Sequence, residues 1–141
     1  NIPLQIKVTG TDISSDHLET AESGIYNCDK IISGFFPEYA KKYLTKQNNS
    51  QVSIISEIKK NVEFKFHSLV SENFLKNIDL IICRNVFIYF TRPLQNSIIE
   101  KFHSSLNPNG ILWLGRAETI SAEHENLFAQ TSDKIKFYKK I

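Results

Sequence analysis

Apolar and polar residues alternate from Leu4 to Thr9, placing Leu4, Ile6 and Val8 on one face of a short predicted strand. That strand opens into Gly10-Thr11-Asp12. Asp16, with Glu19 three residues later, predicts a helix start; Leu18, Ala21 and Glu22 continue the helix and Gly24 ends it. Ile31 to Phe36 reads as a loop or short helix, and Pro37-Glu38 can open a further helical turn toward Leu44. Asn48-Asn49-Ser50 is a turn signal, after which Gln51 to Ile58 alternates in part, as one arm of a hairpin would. Val62, Phe64 and Phe66 then alternate with Glu63 and Lys65, a strand with one buried face.

The second half is more regular. Ile78 to Cys83 is apolar except for Asp79, the mark of a central strand covered on both faces. Thr91 can cap a helix whose apolar positions, Leu94, Ile98, Ile99, Phe102 and Leu106, recur at spacings of three and four. Asn107-Pro108-Asn109-Gly110 predicts its stop, and Ile111 to Leu114 the next buried strand, closed by Gly115. Phe128 to Gln130 and Ile135 to Tyr138 pair as antiparallel strands around Thr131-Ser132-Asp133. Strands alternating with helices imply an α/β sheet, here with an antiparallel finish.

Composition narrows the field without redirecting it. The 141 residues carry 17 basic and 15 acidic side chains, a net charge of +2 spread along the chain. Nucleic-acid binders usually cluster basic charge, so no nucleic-acid partner is expected; Lys41-Lys42, Lys59-Lys60 and Lys139-Lys140 read as solvated faces. Cys28 and Cys83 belong to no CxxC pair, so no metal site is expected, and a reduced, cytoplasmic chain fits. No apolar run reaches the roughly 18 residues that a membrane span needs, and no leader pattern occurs. The chain contains no methionine, which predicts an excised, processed or partial product.

Three segments at predicted strand ends carry chemistry. Asp12 can accept both hydroxyl protons of a ribose, or can serve only to make a turn or cap the next helix. Arg84, Asn85 and Tyr89 are costly groups for a core and need partners. A ligand with a carboxylate and a heteroaromatic base would supply some; a structural acid for Arg84 and packing for Tyr89 is the other reading. In Gly115-Arg116-Ala117-Glu118, the glycine allows a tight turn, while Glu118 can cap or pair with a lysine. His67 and His103 are expected in ordinary surface or packing roles.

Together these segments resemble the CheR-type methyltransferases, the S-adenosylmethionine-dependent family that esterifies receptor glutamates in bacterial chemotaxis. Gly10-Thr11-Asp12-Ile13 with Gly24-Ile25-Tyr26 is similar to the family's T-D-I…G-x-Y segment, and Asp79 to Phe90 is similar to its D-x-I-x-C-R-N-V-x-I-Y-F signature. Leu112 to Glu118 follows its L-x-L-G-x-x-E pattern. The resemblance implies a Rossmann-like methyltransferase sheet, mostly parallel with an antiparallel C-terminal hairpin. It also implies that residues 1–141 are the C-terminal part of a catalytic domain, with a small antiparallel subdomain inserted near 38–66. The implied function is methyl transfer from S-adenosylmethionine to glutamates of chemoreceptor-like proteins, leaving S-adenosylhomocysteine. Asp12, Ser68, Leu69, Arg84 and Asn85 would bind the cofactor, with Arg84 and Tyr89 beside the transferred methyl group and the incoming carboxylate.

The departures from the family pattern are specific. Its first strand and glycine-rich G-C-S-x-G-E-E-x-Y loop are missing, and that strand lies centrally, between the strand ending near Thr9 and the one ending near Cys83. The chain is therefore expected to be incomplete, dimerised or rearranged, with an N-terminal segment or a second copy completing the sheet. Ser68-Leu69-Val70-Ser71 stands where the family shows N-L-x-D or N-L-L, and serine cannot reproduce an amide's bidentate bonding. Gly115-Arg116-Ala117-Glu118 stands for G-H-S-E. The competing expectation is a degenerate domain that binds a protein partner or the cofactor without transferring methyl groups.

Overall fold

A computed structural model describes residues 5–32, 37–71, 73–132 and 135–141. The chain divides into two compact units, Asn1–Ser68 and Leu69–Ile141. Leu4, Ser33 to Phe36 and Asp133, which figure in the predicted elements, lie outside the described residues. No helix among the described residues is long and apolar enough to cross a membrane.

In the first unit, β1 (Val8–Asp12) runs parallel to β5 (Val62–Phe66), with Val8 opposite Val62 and Asp12 opposite Phe66. The strand therefore starts later than the alternation suggests, and Gly10, Thr11 and Asp12 belong to it, because the ladder with β5 extends to Asp12. Glu63 accepts hydrogen bonds from Thr9 Oγ1 across the pair (2.8 Å) and from Lys65 Nζ on its own strand (3.0 Å). Helix α1 (Ser15–Ser23) is capped by Ser14, whose Oγ accepts the His17 N–H, so Asp16 lies inside the first turn and does not open the helix. Gly24 ends it at φ 64°, returning its N–H to Thr20 and Ala21. Only a residue without Cβ adopts that left-handed cap at little cost.

The small antiparallel sheet occupies Ile25 to Ile54, displaced from the expected 38–66. Its order is β2 (Ile25–Asn27), β4 (Gln51–Ile54), β3 (Leu44–Lys46). The turn at Asn48 to Ser50 joins β3 to β4, while β5 pairs with β1 instead. Short helices α2 (Cys28–Ile32), α3 (Pro37–Tyr43) and α4 (Ser56–Lys59) fill the connections.

The second unit is a four-stranded sheet ordered β6 (Ile78–Cys83), β7 (Leu106–Leu114), β9 (Phe137–Lys140), β8 (Phe128–Gln130). β6 and β7 are parallel, and the last two pairings are antiparallel. Helix α5 (Arg92–Ser105) sends Ile98, Ile99 and Phe102 into a core shared with Cys83, Phe87, Leu112, Leu114, Phe128 and Tyr138. Phe102 stacks on Phe87 and meets Phe74 edge-on. Thr91 holds the N-cap position without a side-chain bond, and the helix ends directly into β7 at Leu106. Lys140 Nζ binds the carbonyls of His103 (2.6 Å) and Leu106 (2.8 Å) at that end. Asn107 to Gly110 thus forms an irregularity within β7, where Ile78 faces Leu106 but Leu80 faces Ile111.

One strand departs from the expectation of cover on both faces. β6 has β7 as its hydrogen-bonded neighbour and no other among the described residues. Cys83 is buried, whereas Leu80 and Ile82 on the opposite face are 49% and 57% exposed. An apolar run suited to a two-sided core is here covered on one side. The packed side sets a stability test: Ile98→Ala should destabilise the second unit by about 2–5 kcal/mol. Denaturant unfolding followed by the fluorescence of Trp113, the single tryptophan, measures this. A loss under about 0.5 kcal/mol, the ordinary surface value, would contradict the packing.

Candidate functional site

β6 and β7 end side by side at Cys83 and Leu114, and the loops that leave them are tied to one carboxylate. Glu118 is 3% exposed. Its Oε1 accepts the N–H groups of Val86 and Phe87, each at 2.8 Å, and its Oε2 accepts those of Asn85 (3.0 Å) and Gly115 (2.6 Å). A carboxylate is acceptor-only, so both oxygens can be saturated by N–H donors, which makes burial tolerable. The approach requires glycine at 115: a Cβ there would lie 2.5 Å from Glu118 Oε2 and 3.1 Å from the Asn85 nitrogen.

The loop so held carries the predicted residues. Asn85 sits in the left-handed region at φ 60°, which asparagine tolerates better than most side chains. Arg84 lies with its guanidinium 5.1 Å from the Trp113 ring centroid, so an aromatic face is its neighbour. Tyr89 ends the short 3-10 turn Phe87–Tyr89 and is 79% exposed. Gln95 braces this turn from α5, donating to the carbonyls of Phe87 (2.8 Å) and Phe90 (2.9 Å). A cavity of about 220 Å³ beside the turn is lined by Phe87, Ile88, Arg92, Gln95, Ala117, Glu118 and Thr119. Arg84, Asn85 and Tyr89 are not part of that lining.

In the first unit Asp12 closes β1, and its Oδ1 accepts the Ser14 N–H at 2.8 Å. This bond, with His17 3.6 Å from Oδ2, holds the carboxyl below the usual aspartate range. Asp12 therefore makes the turn and still presents a partly exposed carboxylate at a strand end. Ser68 ends the first unit, while Leu69 begins the second and packs against its core. His103 packs edge-on against Phe128, 5.5 Å between centroids. Among the described residues no group of three or more His, Cys, Asp or Glu is placed to hold a metal ion.

Glu118 is little marked in the sequence. An acid three residues past a glycine at a strand end is a weak signal alone. What gives it force is the adjacent strand end, whose loop directs three successive N–H groups at one point, and that needs the parallel register of β6 and β7.

Within the second unit the parallel pair β6–β7 continues into an antiparallel hairpin, an α/β arrangement whose loops leave the C-terminal strand ends side by side. The profile of the family described as CheR methyltransferase, SAM binding domain, matches residues 1–137, and the chain belongs to that family. It is 39% identical over 122 residues to a chemotaxis protein methyltransferase of Borreliella burgdorferi, covering 84% of this chain and 42% of that protein. A counterpart in Vibrio anguillarum is 33% identical over 117 residues, covering 82% of this chain and 42% of that protein. The chain thus spans less than half the length of these curated relatives. Among solved structures, PKMT2 from Rickettsia typhi in complex with AdoHcy is 25% identical at a TM-score of 0.46, covering 77% of this chain and 16% of that one.

S-adenosylmethionine is the cofactor of this family's domain, and each unit taken by itself offers groups of fitting chemistry. Asp12 offers a partly exposed carboxylate at a strand end, as ribose hydroxyls require. Arg84 and Asn85 stand exposed on a braced loop at another.

Cys83, directly before that loop, tests the site's dryness. Burial, with the Glu118 carboxylate adding to it, pushes its thiol up to about 12. The neutral thiol's contribution to stability should be complete below about pH 9 and lost as pH rises from there toward 12. At pH 8 a thiol-titrating disulfide reagent should modify half-buried Cys28 in the native chain and reach Cys83 only on unfolding. Two equivalents reacting together at native pH would show the strand end to be open.

Proposed function

We propose that this chain supplies part of a catalytic domain that transfers a methyl group from S-adenosylmethionine to glutamate side chains of chemoreceptor-like proteins. The observation that carries the reading is the Arg84-to-Tyr89 loop, with exposed polar side chains on a backbone pinned by a buried carboxylate. The names of the relatives, chemotaxis protein methyltransferases, support the chemotactic setting. A cytoplasmic location accords with two free thiols.

When bound, S-adenosylmethionine supplies an electrophilic methyl group on a sulfonium sulfur. Asp12 takes the ribose hydroxyls, and Ser68, Leu69 and Asn85 contribute further cofactor contacts. Arg84 receives the substrate glutamate carboxylate by charge-assisted bonds, and its place over Trp113 limits how the guanidinium can turn. A glutamate carboxylate is ionised at neutral pH and is the nucleophile as it stands, so the chain need provide no general base. Positioning is what it contributes, with Tyr89 lining the approach. Esterification removes the substrate's charge, so Arg84 binds the substrate better than the product. The reading extends to the open edge of β6, which a strand from elsewhere in the complete protein would fill; a second copy is the alternative occupant.

Calorimetric titration of the complete protein with S-adenosylhomocysteine tests the cofactor site. Micromolar binding is expected, weakened roughly 10–100-fold by Asp12→Ala, the equivalent of one charged hydrogen bond. Arg84→Ala should reduce kcat/KM for a receptor-derived substrate by a similar factor. A folded protein that does not bind the product, or undiminished transfer by the arginine variant, would refute the reading.

A further inference from the structure

Glu118 does more than fill a buried space. The three N–H groups it gathers from Asn85, Val86 and Phe87 are consecutive. Each belongs to a planar trans peptide, whose carbonyl points opposite to its N–H. Turning these donors toward Glu118 therefore turns the carbonyls of Arg84, Asn85 and Val86 away from it. The Val86 carbonyl is taken by the Tyr89 N–H at 3.2 Å. The carbonyls of Arg84 and Asn85 are turned away from Glu118 by the same geometry, at a strand end where both residues are exposed. The Asn85 N–H, held by Oε2, also fixes the left-handed turn at that residue, and so the direction in which Arg84 leaves the strand. The fourth donor, Gly115, ties the same oxygen to the end of β7, so the loop is registered against the neighbouring strand.

We propose that Glu118 is the positioning residue of the methyl-transfer site: its four N–H bonds set the peptide planes of 84–87, aiming Arg84 at an anionic substrate and two carbonyls at a cationic ligand. This rests on the methyltransferase reading and adds to it a residue that touches neither cofactor nor substrate. The charge complement is chemically apt, since a sulfonium or an ammonium group is stabilised by carbonyl oxygens and a carboxylate by the guanidinium. One buried carboxylate so determines the presentation of both signs.

Glu118→Gln in the complete protein is the test. Whichever way the amide sits, its NH2 group confronts two N–H donors, so two of the four bonds become donor–donor contacts. Hydrogen exchange at Asn85, Val86, Phe87 and Gly115, measured without ligand, should accelerate at least about tenfold. Exchange in the ladder between β8 and β9 should stay unchanged. Affinity of the folded variant for S-adenosylhomocysteine should fall at least about tenfold. A merely structural role would lower the melting temperature and leave the folded protein's affinity at the wild-type value, and that result would overturn the proposal while the methyltransferase reading stood. If Glu118→Gln does not fold, Gly115→Ala keeps every donor and acceptor but places its Cβ against Glu118 Oε2. Weakened binding by folded Gly115→Ala, with faster exchange at the same amides, supports the proposal; wild-type affinity despite that faster exchange overturns it. Absence of binding by the wild-type protein would instead remove the parent reading, and the proposal with it.

Discussion

A buried carboxylate has to be matched by donors, and the functional end of the second unit is arranged around that requirement. Glu118 collects N–H groups from two different strand ends, three from the loop after β6 and one from the residue after β7. Losing any one donor would leave charge desolvated without return, a cost of about 1–3 kcal/mol and more for an ion. The loop's conformation is therefore fixed from inside the core, while Arg84, Asn85 and Tyr89 face outward. Gln95 completes the arrangement from the helix side by holding the carbonyls of the same turn. Rigid backbone with exposed side chains is what a site that works by positioning needs.

The sheets of both units end in edges that the apolar pattern does not anticipate. β1 bonds to β5 and β6 to β7, with no second neighbour for β1 or β6 among the described residues. Along β6 the residues pointing away from α5, Leu80 and Ile82, are apolar yet open. An isolated domain usually blunts such an edge with charge, a bulge or a proline. Here Asp79 is the only charged residue of the strand, bonded to Asn107. The composition of β6 is that of an interior strand, and its pairing is that of an edge.

Legibility in the sequence followed the range of the interactions involved. β5, β6, α5 and the closing hairpin were readable because periodicity and flanking turns are local signals. β1 was misplaced by several residues, since its extent is set by the ladder to β5, more than fifty residues away. The antiparallel sheet was displaced because β2, only Ile25–Asn27, is too short to alternate and exists through its pairing with β4. Among the candidate residues, Arg84, Asn85 and Tyr89 stand out as polar groups after an apolar run, and Asp12 as an acid near a strand end. Glu118 does not, because its meaning lies in donors 31 to 33 residues distant.

The chemistry explains why the least conspicuous acid has the widest structural reach. On the proposed reading, transfer to a carboxylate asks for no deprotonation, so no general base needs to advertise the site. What the reaction needs is an anion held in line with a cationic donor, and two opposite charges brought close tend to collapse into an ion pair of their own choosing. In the proposed site, backbone carbonyls and a guanidinium fixed in advance would prevent this, receiving each charge separately without reorganising as those charges cancel. A flexible loop would follow the charges and lose that advantage. Anchoring the loop by its N–H groups to Glu118 fixes its backbone from a buried position.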